Sequence, residues 1–145
     1  MPFIRVSYLR HRYDEQRLNR VSESIMRALV EHFNVPRDDF FQVYHAHAPG
    51  ELYYSPSYLN VERTDDLLYI QITLKSGRTV DQKKRFYATL AELLARNAGM
   101  RKEDVFVVLV GTEYEDWTFG NGIAQMLEIT QGKERAVHGA SVDSD

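Results

Sequence analysis

The feature that most constrains this chain is an internal repeat. Phe3-Ile4-Arg5-Val6-Ser7-Tyr8 lines up with Tyr69-Ile70-Gln71-Ile72-Thr73-Leu74, and at the same offset Arg12 and Gln16 fall on Arg78 and Gln82. Further along, Arg37-Asp38-Asp39-Phe40 roughly matches Lys102-Glu103-Asp104-Val105, with the offset slipping by one residue. Several matches in the same order argue for a duplicated unit, and each copy reads as strand, helix, strand. In the first, Ile4, Val6 and Tyr8 alternate with Arg5 and Ser7, the period of a strand over Phe3 to Leu9. Leu18, Val21, Ile25, Leu29 and Phe33 then recur at helical spacing behind Asp14, a suitable cap. Pro36 cannot continue that helix, and Phe40 to His47 reads as the second strand. Residues 48–66, rich in Pro, Ser, Tyr and turn formers, read as a hairpin or loop. In the second copy Leu67 to Leu74 is a strand, Ser76-Gly77 turns the chain, and Thr79 with Gln82 has the spacing of a capping box. The helix passes through Phe86, Leu90, Leu93 and Leu94 to about Ala98, where Gly99 is a natural stop. Val105 to Val110 is almost wholly apolar, as expected of a strand at the centre of a sheet.

Two such units predict an α+β fold: one four-stranded mixed sheet, strand three beside strand one, with both helices on one face. The other face is then bare, and its Ile, Leu and Val demand a partner, so self-association is expected. The 145 residues suit one domain, taken as 1–131 with halves of about 2–50 and 67–111, followed by a polar tail at 132–145. A net charge of −3 leaves no excess of cations to neutralise phosphates. The lack of cysteine excludes disulfides, thiolate metal sites and cysteine nucleophiles. There is no apolar run of membrane-spanning length, and the start MPFIRVSYLRHR has no signal pattern. A cytoplasmic protein that engages neither nucleic acid nor membrane is expected.

Pro2 is the first residue with distinctive chemistry. Methionine is removed ahead of small residues such as proline, so the mature chain is expected to begin with a secondary amine. A chain-terminal amine has a reference pKa of roughly 7.7–8.0; an apolar pocket or nearby cation lowers it toward a general base, and an adjacent carboxylate raises it toward an acid. Proline is also simply tolerated where a strand begins. Arg78 stands just before a helix cap, where free backbone N–H groups favour an anion and a guanidinium adds a bidentate clamp, although many such arginines are only solvated loop residues. Asp39, after a turn and before a strand, has the position to orient water or the amine, or to be a solvated turn acid. In Asp116-Trp117-Thr118-Phe119-Gly120-Asn121-Gly122, two rings followed by paired glycines suit either a pocket wall or interface packing. His45 and His47 share one strand face, but no third metal ligand is evident, and a structural role is preferred. No glycine-rich phosphate loop and no nucleophile elbow is present.

Together these residues resemble one branch of the tautomerase superfamily, the branch containing malonate semialdehyde decarboxylase. The shared features are the start M-P-F-I, the duplicated β-α-β unit, Val35-Pro36 leading to Asp39, and Pro49-Gly50-Glu51. Arg78-Thr79-x-Asp81-Gln82-Lys83 and Asp116-Trp117-Thr118-Phe119-Gly120-x-Gly122 complete the set. The resemblance spans about residues 2–127 and implies a homotrimer, a barrel of sheets ringed by helices, with no cofactor and no metal. It implies Pro2 as the catalytic amine, Arg78 as the carboxylate binder, Asp39 as the acid near the amine, and Trp117 and Phe119 as pocket walls. The decarboxylase pattern carries a second arginine where this chain has Ser76, so Ser76 faces the substrate without that charge. The implied activity is cofactor-independent keto–enol tautomerisation of a small 2-oxo carboxylic acid with Pro2 as base. The alternative is decarboxylation or hydration of a 3-oxo acid such as malonate semialdehyde, with protonated Pro2 as acid. An interaction protein on the same scaffold, using the tyrosines from Tyr53 to Tyr69, is a third possibility.

Overall fold

In the computed structural model the described residues are 1–130, so the domain end at 131 and the tail at 132–145 lie outside them. The chain divides into two compact units, Met1–Val110 and a second beginning at Gly111. In chain order the elements are β1 (Phe3–Leu9), α1 (Glu15–Phe33), β2 (Gln42–His47), β3 (Leu68–Lys75), α2 (Val80–Ala98) and β4 (Val105–Thr112). Each helix starts and stops where its local chemistry dictates. Asp14 accepts the Arg17 N–H at 2.8 Å at the head of α1, which ends at Asn34 in the left-handed region. At the head of α2, Thr79 Oγ1 accepts from Gln82 N at 3.1 Å while Gln82 Oε1 accepts from Thr79 N at 2.9 Å, and Gly99 at φ 62 closes the other end.

The sheet order is β2-β1-β3-β4. β1 runs parallel to β2, from Ile4 opposite Gln42 to Leu9 opposite His47, and antiparallel to β3, from Phe3 opposite Thr73 to Ser7 opposite Tyr69. This is the expected four-stranded mixed sheet, with strand three beside strand one. Ile4 and Val6 of β1 and Leu68, Ile70, Ile72 and Leu74 of β3 are buried in one cluster with Val21, Ile25, Leu29 and Phe33 of α1 and Phe86, Leu90 and Leu94 of α2. Both helices therefore cover the same face. The Phe33 and Phe86 rings stack across the helix pair with centroids 4.6 Å apart.

Two details differ from expectation, and one open alternative is decided. The apolar strand β4 is an edge strand, not a central one. Val105, Val107 and Leu109 pack against the core, while Phe106, Val108 and Val110 on its other side are each more than a third exposed. Both sides are apolar because one meets the helices and the other belongs to the bare sheet face, a pattern that mimics a central strand. Phe40 and Phe41 precede β2 rather than opening it. Of the two alternatives for 48–66 the segment is the loop, with one short 3-10 turn, Tyr58–Asn60. There Arg63 Nη1 donates to the carbonyls of Ser55, Tyr58 and Val61, substituting for a strand ladder.

Two tyrosines, Tyr13 buried and Tyr44 half-buried, link the fold to pH. Burial pushes the Tyr44 phenol up to about 12 and raises that of Tyr13 further. The Tyr13 hydroxyl donates to the Asp66 carbonyl, and that of Tyr44 to Gln42 Oε1 at 2.7 Å. A phenol with a raised folded-state pKa binds its proton more tightly folded than unfolded, so its contribution is complete below pH 10 and falls as pH rises through 10–12. Thermal midpoints are expected to drop across that window, and Tyr44→Phe is expected to flatten the drop. An equally steep decline in Tyr44→Phe and Tyr13→Phe would exclude these phenols as the cause.

Candidate active site

The start of β1 brings the chain's N-terminal amine to a carboxylate. Met1 and Pro2 are buried, and the Met1 ammonium donates to Asp39 Oδ2. Asp39 is placed by a turn, its N–H donating to Pro36 O at 3.1 Å, and by Ile4 N donating to Phe41 O at 3.1 Å, which locks the entry to β2 beside the entry to β1. The other carboxylate oxygen, Oδ1, is buried without a hydrogen-bond partner among the described residues. An unpaired buried acceptor on a charged group costs on the order of 1–3 kcal/mol or more.

The duplication explains how an aspartate came to stand there. Asp104, the counterpart of Asp39 in the second copy, is fully buried and ties down the chain ahead of β3: Oδ1 accepts from Thr64 N and Oδ2 from Thr64 Oγ1, each at 2.7 Å. In both copies a carboxylate preceding the unit's second strand grips the chain that leads into its first. In the second copy that chain offers a peptide N–H and a hydroxyl, which satisfy both oxygens. In the first it offers an amine, and one oxygen is left over.

Arg78 leaves the end of β3 at the level of Met1, because β3 runs antiparallel to β1 with Thr73 opposite Phe3. It is half-buried. Nη1 donates to Lys75 O at 2.7 Å, Nη2 to Phe33 O at 3.2 Å, and the guanidinium lies 5.4 Å from the Phe33 ring centroid. With Gln82 Nε2 donating to His32 O at 3.3 Å, the head of α2 supplies donors to the open carbonyls that end α1. Arg17, at the head of α1, does the same for α2 by donating to Ala98 O at 2.8 Å and Gly99 O at 3.4 Å. Arg12, the repeat partner of Arg78, is instead paired with Asp66 Oδ1 at 2.8 Å. Ser76 is exposed at the same end of the sheet as Arg78, and its carbonyl accepts from Lys75 Nζ at 2.9 Å.

The second unit holds Trp117 and Phe119. Their rings are nearly parallel, 13° apart with centroids at 5.7 Å, and Phe119 is 37% exposed. Trp117 Nε1 donates to Thr112 Oγ1 at 2.7 Å. Gln125 spans the turn beyond the rings: Oε1 accepts from Phe119 N at 2.9 Å and Nε2 donates to Gly120 O at 2.7 Å. Gly120, Asn121 and Gly122 all have positive φ, which is why a glycine pair flanks the turn.

Two family models, both described as tautomerase enzyme, match residues 39–120 and residues 2–61. The chain is 48% identical over 128 residues to "Probable tautomerase YusQ" of Bacillus subtilis (strain 168), covering 88% of this chain and 100% of that protein. The similar "Probable tautomerase YrdN" of the same organism is 33% identical over 127 residues, 88% of this chain and 97% of that one. Among solved structures, malonate semialdehyde decarboxylase superposes with a TM-score of 0.81 at 27% identity, covering 87% of this chain and 96% of that one. A second malonate semialdehyde decarboxylase, inhibited by 3-bromopropiolate, gives 0.79 at 32% identity, covering 87% and 95%. The chain belongs to the tautomerase superfamily, on the branch that includes malonate semialdehyde decarboxylase.

The register brings the N-terminal amine, Asp39 and Arg78 to the same end of the sheet on three separate elements, and of these the amine and Asp39 are in contact. The pair His45 and His47 points to the bare sheet face, each with a buried Nε2 that has no hydrogen-bond partner among the described residues. No group of three or more potential metal ligands occurs among the described residues, and no described helix is long and apolar enough to cross a membrane. An open depression of about 490 Å³ flanking α1, lined by Glu23, Met26, Arg27, Val30, Glu31 and Arg37, contains none of the candidate residues. Sequence reasoning overlooked Thr112 and Gln125. A threonine five residues before the tryptophan and a glutamine six residues after the phenylalanine carry no motif; only the fold shows that they hold the rings.

Proposed function

We propose that this protein is a cofactor-independent enzyme of small oxo carboxylic acids that works through the secondary amine of Pro2 after loss of Met1, as a homotrimer in the cytoplasm. The observation that carries the proposal is the N-terminal amine held on Asp39 beside buried Pro2. In the first reaction, keto–enol tautomerisation of a 2-oxo acid, neutral Pro2 takes the enol hydroxyl proton and returns it to the adjacent carbon. Arg78 holds the substrate carboxylate, and Ser76 borders the substrate. Trp117 and Phe119 contact its tail; their match to the family segment and their stacked, partly exposed rings support that role. The bare apolar sheet face supports self-association, as does the likeness in fold to a fused tautomerase solved as a symmetric trimer.

One observation favours a second reaction. A carboxylate beside an amine stabilises its protonated form, and protonated Pro2 suits decarboxylation or hydration of a 3-oxo acid such as malonate semialdehyde. There the ammonium polarises the 3-oxo group, the bond to the carboxylate breaks, and its electron pair passes into the enol as carbon dioxide leaves. Asp39 would position the amine or a water. The experiment is a paired assay of phenylenolpyruvate and malonate semialdehyde together with a nitrogen NMR titration of Pro2. A Pro2 pKa below the terminal-amine reference with turnover of the enol supports the base; a higher value with carbon dioxide release supports the acid. Arg78→Ala is expected to lower kcat/KM for either substrate by about 10–100-fold, the worth of charged hydrogen bonds to a carboxylate. Turnover of neither substrate, or turnover indifferent to Arg78→Ala, would sink the proposal.

A further inference from the structure

The two rings of the second unit are held by hydrogen bonds as well as by their own stacking. Trp117 is pinned at its one polar atom by Thr112 Oγ1 at 2.7 Å, which leaves the remainder of the indole for apolar contact. Phe119 is fixed through its backbone. The Gln125 amide accepts from Phe119 N at 2.9 Å and donates to Gly120 O at 2.7 Å, so one side chain ties down both residues joined by the 119–120 peptide. Thr118 Oγ1 adds contacts to Gly120 N and Gly120 O, both at 3.3 Å, and three consecutive residues with positive φ close the turn. The product is a fixed pair of stacked rings, 13° from parallel with centroids 5.7 Å apart, of which Phe119 is 37% exposed. Large apolar rings held rigid and left partly open favour a flat partner, because π-faces stack and the conformational cost of ordering them has been met in advance.

We infer that Thr112 and Gln125 are positioning residues that hold Trp117 and Phe119 as a stacking wall, and that this wall selects substrates with a planar, conjugated or aryl tail. The inference rests on the role given to Trp117 and Phe119 under the proposed function. Losing either clamp frees a ring to rotate, which weakens a ligand that stacks and leaves a ligand with nothing to stack almost untouched.

Trp117 is the only tryptophan of the chain, so its emission reports on the wall directly. Phenylpyruvate and pyruvate share a 2-oxo carboxylate and differ in the aryl group. Calorimetric titration with each, alongside Trp117 emission, is expected to show phenylpyruvate perturbing the emission. Thr112→Val and Gln125→Ala are each expected to weaken phenylpyruvate about tenfold and change pyruvate less than twofold. Thr112→Ser, which keeps the acceptor, is expected to restore binding and the wild-type emission. Gln125→Glu, which accepts from Phe119 N but cannot donate to Gly120 O, is expected to fall between and serves if Gln125→Ala does not fold. Equal weakening of both acids, no weakening, failure of the serine to restore it, or an emission indifferent to phenylpyruvate would each overturn the inference. If phenylpyruvate discriminates as described while no enol is turned over, the wall stands and the proposed reaction falls.

Discussion

A chain that retains Met1 is expected to turn over substrate about 10²–10⁴-fold more slowly than one beginning at Pro2. Ahead of Pro2, any residue converts the ring nitrogen from a secondary amine into a tertiary amide, which has no basic lone pair and carries no proton to give. The loss is then the full contribution of a general acid or base. It applies to both candidate reactions, since each needs the nitrogen, one neutral and the other protonated. The Met1 ammonium also occupies Asp39 Oδ2, which withholds the carboxylate from Pro2. Mass spectrometry of the two forms followed by kcat/KM on each makes the comparison, and equal rates would remove Pro2 from the mechanism. Pro2→Ala with Met1 absent keeps an amine but loses the ring that fixes its direction, and is expected to fall between the two.

The largest loss of stability is expected from Phe86→Ala, about 3–5 kcal/mol. Phe86 is fully buried, stacks on Phe33 at 4.6 Å and meets Tyr87 edge-on at 6.0 Å. Emptying its volume leaves a cavity between α1 and α2 that rigid helices fill only in part. The consequence reaches the candidate site, because Phe33 is the residue whose ring and carbonyl hold the Arg78 guanidinium. A loosened Phe33 is therefore expected to raise KM for a carboxylate substrate as well. Denaturant midpoints at matched chain concentration test the first effect and steady-state kinetics the second. A destabilisation below about 1 kcal/mol would show that the helix pair repacks freely.

Local chemistry was legible in the sequence to within a residue or two. Asp14, Thr79 with Gln82, and Gly99 each act over a few bonds, so they end helices wherever the remainder of the chain goes. The repeat carried more, since two strand-helix-strand units restrict how four strands can share a sheet. What misled was the apolar run from Val105 to Val110. Composition records how many sides of a strand avoid water but not what covers them, and a bare face awaiting a partner reads like a covered one. Arg63 was equally opaque, because its role in organising 55–61 depends on carbonyls that become neighbours only after the loop has closed.

Pro2 as a singular residue, the α+β class and the positions of Arg78 and Asp39 ahead of helix and strand follow from the sequence by itself, because patterning and capping are short-range. Tertiary structure alone decided which oxygen of Asp39 the N-terminal amine meets, that its repeat partner Asp104 is taken up by Thr64, and that Arg78 also closes the end of α1. It alone showed Thr112 and Gln125 holding the rings of Trp117 and Phe119. The physical reason is that hydrogen bonds and ion pairs act over about 3 Å, and which distant residues come within that range is set by the packing of the sheet and helices rather than by spacing along the chain.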